Sequence, residues 1–302
     1  MEISIKNEDS NKRIDSYLLN ITDFSRSKIQ KMIKAGSIKV NNNIIKNSYI
    51  LKENDLIVID EYQEEEMNVI PQKMDLNIVY EDDDVIVVDK KNGVVVHPAA
   101  GNYTDTLVNG LLYHSKELSD INGEFRPGIV HRIDAYTTGL LMIAKNNKAH
   151  EFLARQLEDK TVYRKYIALV YGVINNDTGT IDAPIGRDAS DRKKMAVTAN
   201  NSKHAVTHFK VLKRFKDATL IELKLETGRT HQIRVHMNYI GHPVVNDPVY
   251  GKRKLIDDSG QCLHAKELGF IHPTTKEYME FTSELPTCFL NILSKFEEVK
   301  ES

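Results

Sequence analysis

Gly128-Ile129-Val130-His131-Arg132-Ile133-Asp134-Ala135-Tyr136-Thr137-Thr138-Gly139-Leu140-Leu141-Met142-Ile143-Ala144-Lys145 sets polar chemistry between two apolar runs. A histidine, an arginine and a carboxylate fall within four residues, His131 to Asp134. They follow Ile129-Val130 and precede a Thr-Thr-Gly turn that leads into Leu140 to Ala144. Such groups at the end of a buried strand commonly face a cleft; the alternative is an aspartate that caps the turn ahead of it. Outward from here, Val85 to Asp89 and Gly93 to His97 read as buried strands. Leu107 to His114 and Lys148 to Leu157 read as helices. Tyr166 to Tyr171, Ala205 to Lys213 and Thr219 to Leu225 are rich in β-branched and aromatic residues, as strands are. These elements do not alternate with strict βαβ regularity, so residues 76–302 are expected to form a mixed α+β domain.

A second polar cluster is Glu226-Thr227-Gly228-Arg229-Thr230-His231-Gln232-Ile233-Arg234-Val235-His236. Read as a helix, it projects His231, Ile233 and Arg234 in different directions. Arg234 is then either a partner for a buried carboxylate or a surface arginine with no special partner. Metal binding is not expected. Among eleven histidines, His231 and His236 stand five apart, which misses the i, i+4 spacing of a helical zinc pair. No nucleophile elbow, phosphate loop or dinucleotide fingerprint occurs, so hydrolase, nucleotide-cradle and dehydrogenase readings lose their main support.

Residues 1–62 form a separate unit and residues 63–75, with Glu64-Glu65-Glu66 and Pro71, a linker. In the front unit Ser25 is a plausible helix N-cap, Ile29, Met32 and Ile33 follow at helical spacing, and Gly36 ends the run. Ile38 to Val40 and Leu56 to Ile59 read as short strands. Residues 1–50 hold nine Lys/Arg against five Asp/Glu, whereas the whole chain of 302 residues carries a net charge of -2. Spacing alone leaves the lysines of this helix as either a solvated face or a phosphate-binding one. Two cysteines outside any CxxC pair argue against a disulfide framework. Met1-Glu2-Ile3-Ser4 opens without a basic, then apolar, leader, and no apolar run approaches membrane-spanning length. A cytoplasmic monomer with no membrane contact is expected.

Arg13-Ile14-Asp15-Ser16-Tyr17-Leu18, Ser25-Arg26-Ser27-Lys28, Gly36-Ser37-Ile38-Lys39-Val40-Asn41 and Asp55-Leu56-Ile57, in that order, resemble the S4 RNA-binding domain. Over residues 76–290 the motifs resemble the RluA-type family of pseudouridine synthases. They run through Val96-His97-Pro98-Ala99-Ala100-Gly101-Asn102, Leu107-Val108-Asn109, Arg126-Pro127-Gly128 and His131-Arg132-Ile133-Asp134. Downstream stand Arg164-Lys165-Tyr166-Ile167-Ala168, Pro184-Ile185-Gly186-Arg187, Arg192-Lys193-Lys194-Met195 and Gly228-Arg229-Thr230-His231-Gln232-Ile233-Arg234. Gly241-His242-Pro243, Asp247, Tyr250-Gly251 and Leu263-His264-Ala265 complete the series. The chain departs from the family pattern just after Asp134, where Ala135-Tyr136 replace Lys-Asp and Thr138 replaces Ser.

The resemblance implies a mainly antiparallel catalytic sheet behind a small S4-like α/β domain. It also implies an isomerisation that needs no cofactor and a partner that is RNA, with 23S ribosomal RNA or a large-subunit particle expected. A transfer RNA substrate, or an RNA-binding ribosome-assembly factor with impaired catalysis, are the competing expectations. By the same resemblance Asp134 is the catalytic carboxylate, Arg234 its cationic partner and Tyr166 the residue that stacks on the uracil. Arg132 and Ile233, with His131, Thr138, Arg229 and His231, are expected at the substrate. Arg26, Lys28, Lys31, Arg187, Arg192 and Lys193 are expected on the RNA backbone.

Overall fold

The computed structural model describes residues 1–62, 69–99, 102–123, 125–191, 194–251 and 253–297, apart from the side chain of Ser27. The chain divides into two compact units, Met1–Met67 and Asn68–Ser302.

In the first unit β1 (Glu2–Ser4), β2 (Ile38–Val40), β3 (Asn43–Ile44) and β4 (Leu56–Ile59) form an antiparallel sheet in the order β1-β4-β2-β3. Helices α1 (Ile14–Ile21) and α2 (Arg26–Ala35) pack on it through Ile14, Leu18, Ile29, Met32 and Ile33, all nearly inaccessible. Helix α2 starts and stops where its residue types direct. The Ser25 hydroxyl accepts from the Lys28 N–H at 3.2 Å, a cap of about 1 kcal/mol. Gly36 takes the left-handed conformation, φ 76°, that closes the helix.

The second unit runs β5 (Ile78–Glu81), β6 (Val85–Lys90), α3 (Leu107–His114), β7 (Thr138–Ala144), α4 (Asn147–Glu158), β8 (Tyr163–Tyr171), β9 (Thr178–Asp182). It continues β10 (Ile185–Arg187), β11 (Met195–Val197), β12 (Val206–Arg214), β13 (Ala218–Leu225), α5 (Gln232–Tyr239), β14 (Leu263–Ile271), β15 (Tyr278–Thr282), α6 (Thr287–Leu293). Its main sheet has the order β5-β6-β7-β14-β8-β13-β12-β9, with β15 also on β14 and β10–β11 a separate hairpin. Every pairing is antiparallel except β7 with β14, so the mixed α+β class with a mainly antiparallel sheet stands.

Strand β7 explains the unbroken apolar run of the deciding stretch. Leu141 and Ile143 point into the larger core, whereas Leu140, Met142 and Ala144 point into the core under α4. A strand covered on both faces has no polar side to show. The parallel contact places Gly139 against Ala265, and a Cβ at Gly139 would lie 2.3 Å from the Ala265 carbonyl oxygen. Only glycine fits there.

Two local expectations change. Gly93 to His97 is an irregular loop, not a strand. Gly93 turns the chain with φ 78°, and the Val95 and Val96 carbonyls accept from Leu107 and Val108 at the start of α3 instead of from a neighbouring strand. The described end of the acidic stretch lies along the second unit: Asn109 donates to the Ile70 carbonyl and the Gln72 N–H donates to that of Asn109. Among the described residues no helix is long and apolar enough to cross a membrane.

Candidate active site

Asp134 sits just before β7, in a turn closed by its own carbonyl, which accepts from the Thr137 N–H at 3.0 Å. Its carboxylate does not cap that turn. Oδ2 accepts from Arg234 Nη1 at 2.8 Å, joining residues one hundred positions apart. The turn is fixed from beneath by Lys90 at the end of β6. Burial pushes the Lys90 ammonium down to about 7, although the charges of Asp134 and Asp89 oppose this. Its Nζ reaches the carbonyls of Ala135, Val94 and Lys91 at 2.7, 2.8 and 2.9 Å. Three acceptors around three N–H bonds suit the ammonium form, and one of them belongs to the residue after Asp134.

Arg234 is 4% exposed and shared between two carboxylates. Its Nε and Nη2 donate to Asp247 Oδ2 and Oδ1 at 2.7 and 2.8 Å, and Asp247 Oδ1 also accepts from the Val249 and Tyr250 N–H groups. Burial works against the guanidinium charge, but the Asp247 hydrogen bonds and the Asp134 charge outweigh it and raise its pKa. For Asp247 burial favours the neutral acid, and the Arg234 hydrogen bonds prevail and lower its pKa. A permanent cation therefore faces Asp134. The Tyr250 ring lies under that cation at 5.1 Å.

Helix α5 begins only at Gln232, because His231 adopts a left-handed φ of 57°. The cluster read as one helix is thus a loop from Glu226 to His231 followed by a helix, and the kink carries His231 toward Asp134. Tyr250 Oη accepts from the Met195 N–H and lies 2.9 Å from His231 Nδ1. His231 Nε2 stands 3.8 Å from Asp134 Oδ1. Burial lowers the His231 pKa, and Asp134 partly opposes it.

Asp134, His231 and Arg234 line a cavity of about 580 Å³, with Tyr166, Ile233, His131, Arg132, Arg164 and Arg229 also in its wall, within the ~300–1,000 Å³ usual for ligand sites. Tyr166 is 6% exposed and its hydroxyl has no hydrogen bond among the described residues; burial raises its pKa. Arg132, exposed at the rim, donates to His97 Nε2 at 3.1 Å, and the other ring nitrogen of His97 contacts the Pro98 carbonyl. His131 accepts from the Met142 N–H, and burial holds its pKa down at about 3, so it is a neutral structural acceptor. Arg229 donates to the His204 carbonyl. Thr138 is not in the cavity wall. Its hydroxyl is 2.8 Å from His264 Nδ1, because the first residue of β7 faces β14. Ala135 and Tyr136 also lie outside the wall, so the departure from the family pattern leaves the Asp134–Arg234 pair untouched.

Of the residues expected on RNA, Arg26 and Lys28 stand on α2, with Arg26 donating to the Ser16 hydroxyl and Lys28 over the Phe24 ring. Lys31 is exposed on the same helix and Arg187 exposed at the end of β10. Arg192 and Lys193 lie outside the described residues. Lys90, His97, Asp247 and Tyr250 carry no role legible in the sequence. Asp247 and Tyr250 stand in the quoted motifs without a role, and Lys90, after five apolar or acidic strand residues, gives no sign that its amine is enclosed.

A family model of RNA pseudouridylate synthases matches residues 84–239, and one of the S4 domain matches residues 12–57. The chain is 54% identical over 287 residues to YlyB of Bacillus subtilis, described as an uncharacterized RNA pseudouridine synthase, covering 95% of this chain and 94% of that one. It is 43% identical over 293 residues to the ribosomal large subunit pseudouridine synthase D of Pseudomonas aeruginosa, covering 93% and 90%. Among solved structures, human RNA pseudouridylate synthase domain containing 1 superposes with a TM-score of 0.60 at 29% identity, covering 76% of this chain and 91% of that one. The chain therefore belongs to the RNA pseudouridine synthase family and carries an S4 domain ahead of its synthase domain.

Proposed function

We propose that this enzyme isomerises uridine in large-subunit (23S) ribosomal RNA and that Asp134 is the group acting at the ribose. The observation that carries the reading is the Asp134–Arg234 pair, 2.8 Å apart, in one cavity with the buried Tyr166 and Ile233. The substrate assignment rests on relatives named for the large ribosomal subunit. In the reaction the N1–C1′ bond breaks and a C5–C1′ bond forms, while N1 gains a proton and C5 loses one. Nothing is oxidised or reduced.

With Oδ2 held by Arg234, Oδ1 of Asp134 is the oxygen left for the ribose. Attack at C1′ and removal of the C2′ proton both use it. Tyr166 offers a ring face to the base, and its unengaged hydroxyl is available to the C5 proton. Ile233 packs against the same base. A stacked uridine must first leave its helix, at a cost of a few kcal/mol; Arg132, positioned by His97 at the rim, fills the space it vacates. Residues 1–62, with Arg26, Lys28 and Lys31 on α2, add sequence-independent phosphate contacts to those of the 187–193 segment.

Asp134→Asn tests the central role. Pseudouridine formation is expected to vanish while RNA affinity stays within about threefold; isomerisation by the amide at the normal rate would remove Asp134 from the chemistry. Pseudouridine mapping of 23S and transfer RNA, from cells with and without the protein, tests the substrate: sites lost only from transfer RNA overturn the ribosomal assignment.

A further inference from the structure

Arg164 is a buried charge with no neutralising partner among the described residues. It lies on β8 two residues before Tyr166, so both side chains leave the same face of the sheet. The residue is 7% exposed and lines the catalytic cavity. Its Nε is fully shielded and without a hydrogen-bond partner, and neither of its other nitrogens bonds to any described residue. Nor does it join an ion pair among the described residues, whereas Arg234, equally buried, binds two carboxylates. Space for the guanidinium comes from Gly228, where a Cβ would lie 2.8 Å from Arg164 Nη1.

An unpaired buried guanidinium is costly to keep. A cavity that retains one draws its counter-charge from the ligand. Resting on the reading of this cavity as the uridine site, we propose that Arg164 is the seat of a backbone phosphate adjoining the target uridine. RNA carries full negative charge only on its phosphodiesters, and the planar guanidinium fork matches two phosphate oxygens. Uracil carbonyls, being neutral, would leave the charge uncompensated. The placement agrees: Arg164 is offset from Tyr166 by about 7 Å along the strand, and both line the same cavity. A base stacked on Tyr166 therefore puts its sugar–phosphate within the arginine's sweep.

The test is a cycle between protein and RNA, made on a fragment centred on a uridine that the wild-type enzyme converts. Conversion itself checks the reading of the pocket; the cycle checks Arg164 separately. In an Asp134→Asn background, which holds the RNA unchanged, Arg164→Met is expected to weaken binding about tenfold. It should also make the slope of log affinity against log salt shallower by about 0.7, one phosphate's worth. Methylphosphonates remove one phosphate charge at a time. At one position beside the target they should cost the protein that retains Arg164 about tenfold, and cost the R164M protein nothing. The thermal midpoint of R164M should equal or exceed that of the parent, since a charge without a protein partner is lost. Equal methylphosphonate penalties in both proteins at every position overturn the proposal, as does an unchanged salt slope with a lower midpoint. Should R164M fail to fold, R164Q enters the same cycle with the same expected and overturning results.

Discussion

Asp247→Asn removes one charge from the Asp134–Arg234–Asp247 chain and changes almost no volume. Asp247 is 1% exposed, and its two oxygens receive four N–H bonds: Nε and Nη2 of Arg234 and the backbone N–H groups of Val249 and Tyr250. An asparagine has one acceptor oxygen and cannot match them. With its oxygen toward Val249 and Tyr250, its NH2 confronts Arg234 Nε at a site where the donor–acceptor distance is now 2.7 Å. Turned over, it points the NH2 at two backbone donors. Either way a buried donor is unmatched, and Arg234 keeps one of its two bonds to residue 247 beside the bond to Asp134. Breaking one member of a buried pair costs about 3–5 kcal/mol, which for a unit of this size lowers the melting midpoint by roughly 10 °C. With its anchor reduced to one neutral bond, Arg234 no longer holds the direction of Asp134 firmly, and single-turnover pseudouridine formation should fall at least about tenfold, with RNA affinity little changed. The pH dependence has a definite sign. The Asp247 pKa lies below its ordinary 3.8 in the folded state, so its stabilisation is complete above about pH 4 and is lost as pH falls through the lower folded value. The gap between wild type and D247N should therefore be constant near neutrality and close below about pH 4. Thermal melts across pH and single-turnover assays measure all three. A midpoint within about 1 °C of wild type at pH 7, with an unchanged rate, would refute the idea that this buried pair carries the site.

Gly139→Ala forces a Cβ to within 2.3 Å of the Ala265 carbonyl at a φ of 106°, so the β7–β14 junction should open at a cost of about 4 kcal/mol or more; a normal melting curve for G139A would contradict that geometry. Removing residues 1–62 should weaken RNA binding and flatten its salt dependence, and an unchanged salt slope would show that the front unit makes no phosphate contacts.

The sequence by itself determined what is local. Apolar spacing marked α2, α3, α4 and the strands β6, β8, β12 and β13, since the faces that elements bury are written in period 3.6 or period 2. Ser25 and Gly36 marked the ends of α2 because capping needs only neighbours in the chain. Resemblance to the pseudouridine synthase motifs singled out Asp134, Tyr166 and Arg234. Tertiary structure decided what depends on distant partners. The Gly93 to His97 run has strand composition, yet the carbonyls of Val95 and Val96 serve α3 and leave no ladder to join. His231, read inside a helix, lies outside it because its left-handed backbone brings Gln232, not His231, to the helix start. Asp134 gains its guanidinium from a residue one hundred positions later, and Asp247 became visible as the anchor only once α5 and the turn after it were packed together. Lys90 and Arg164 are ordinary strand cations until folding encloses them. One then meets three carbonyls and the other, among the described residues, meets none, because the desolvation of a charge and the partners it is given are set by the whole fold and not by the neighbouring letters.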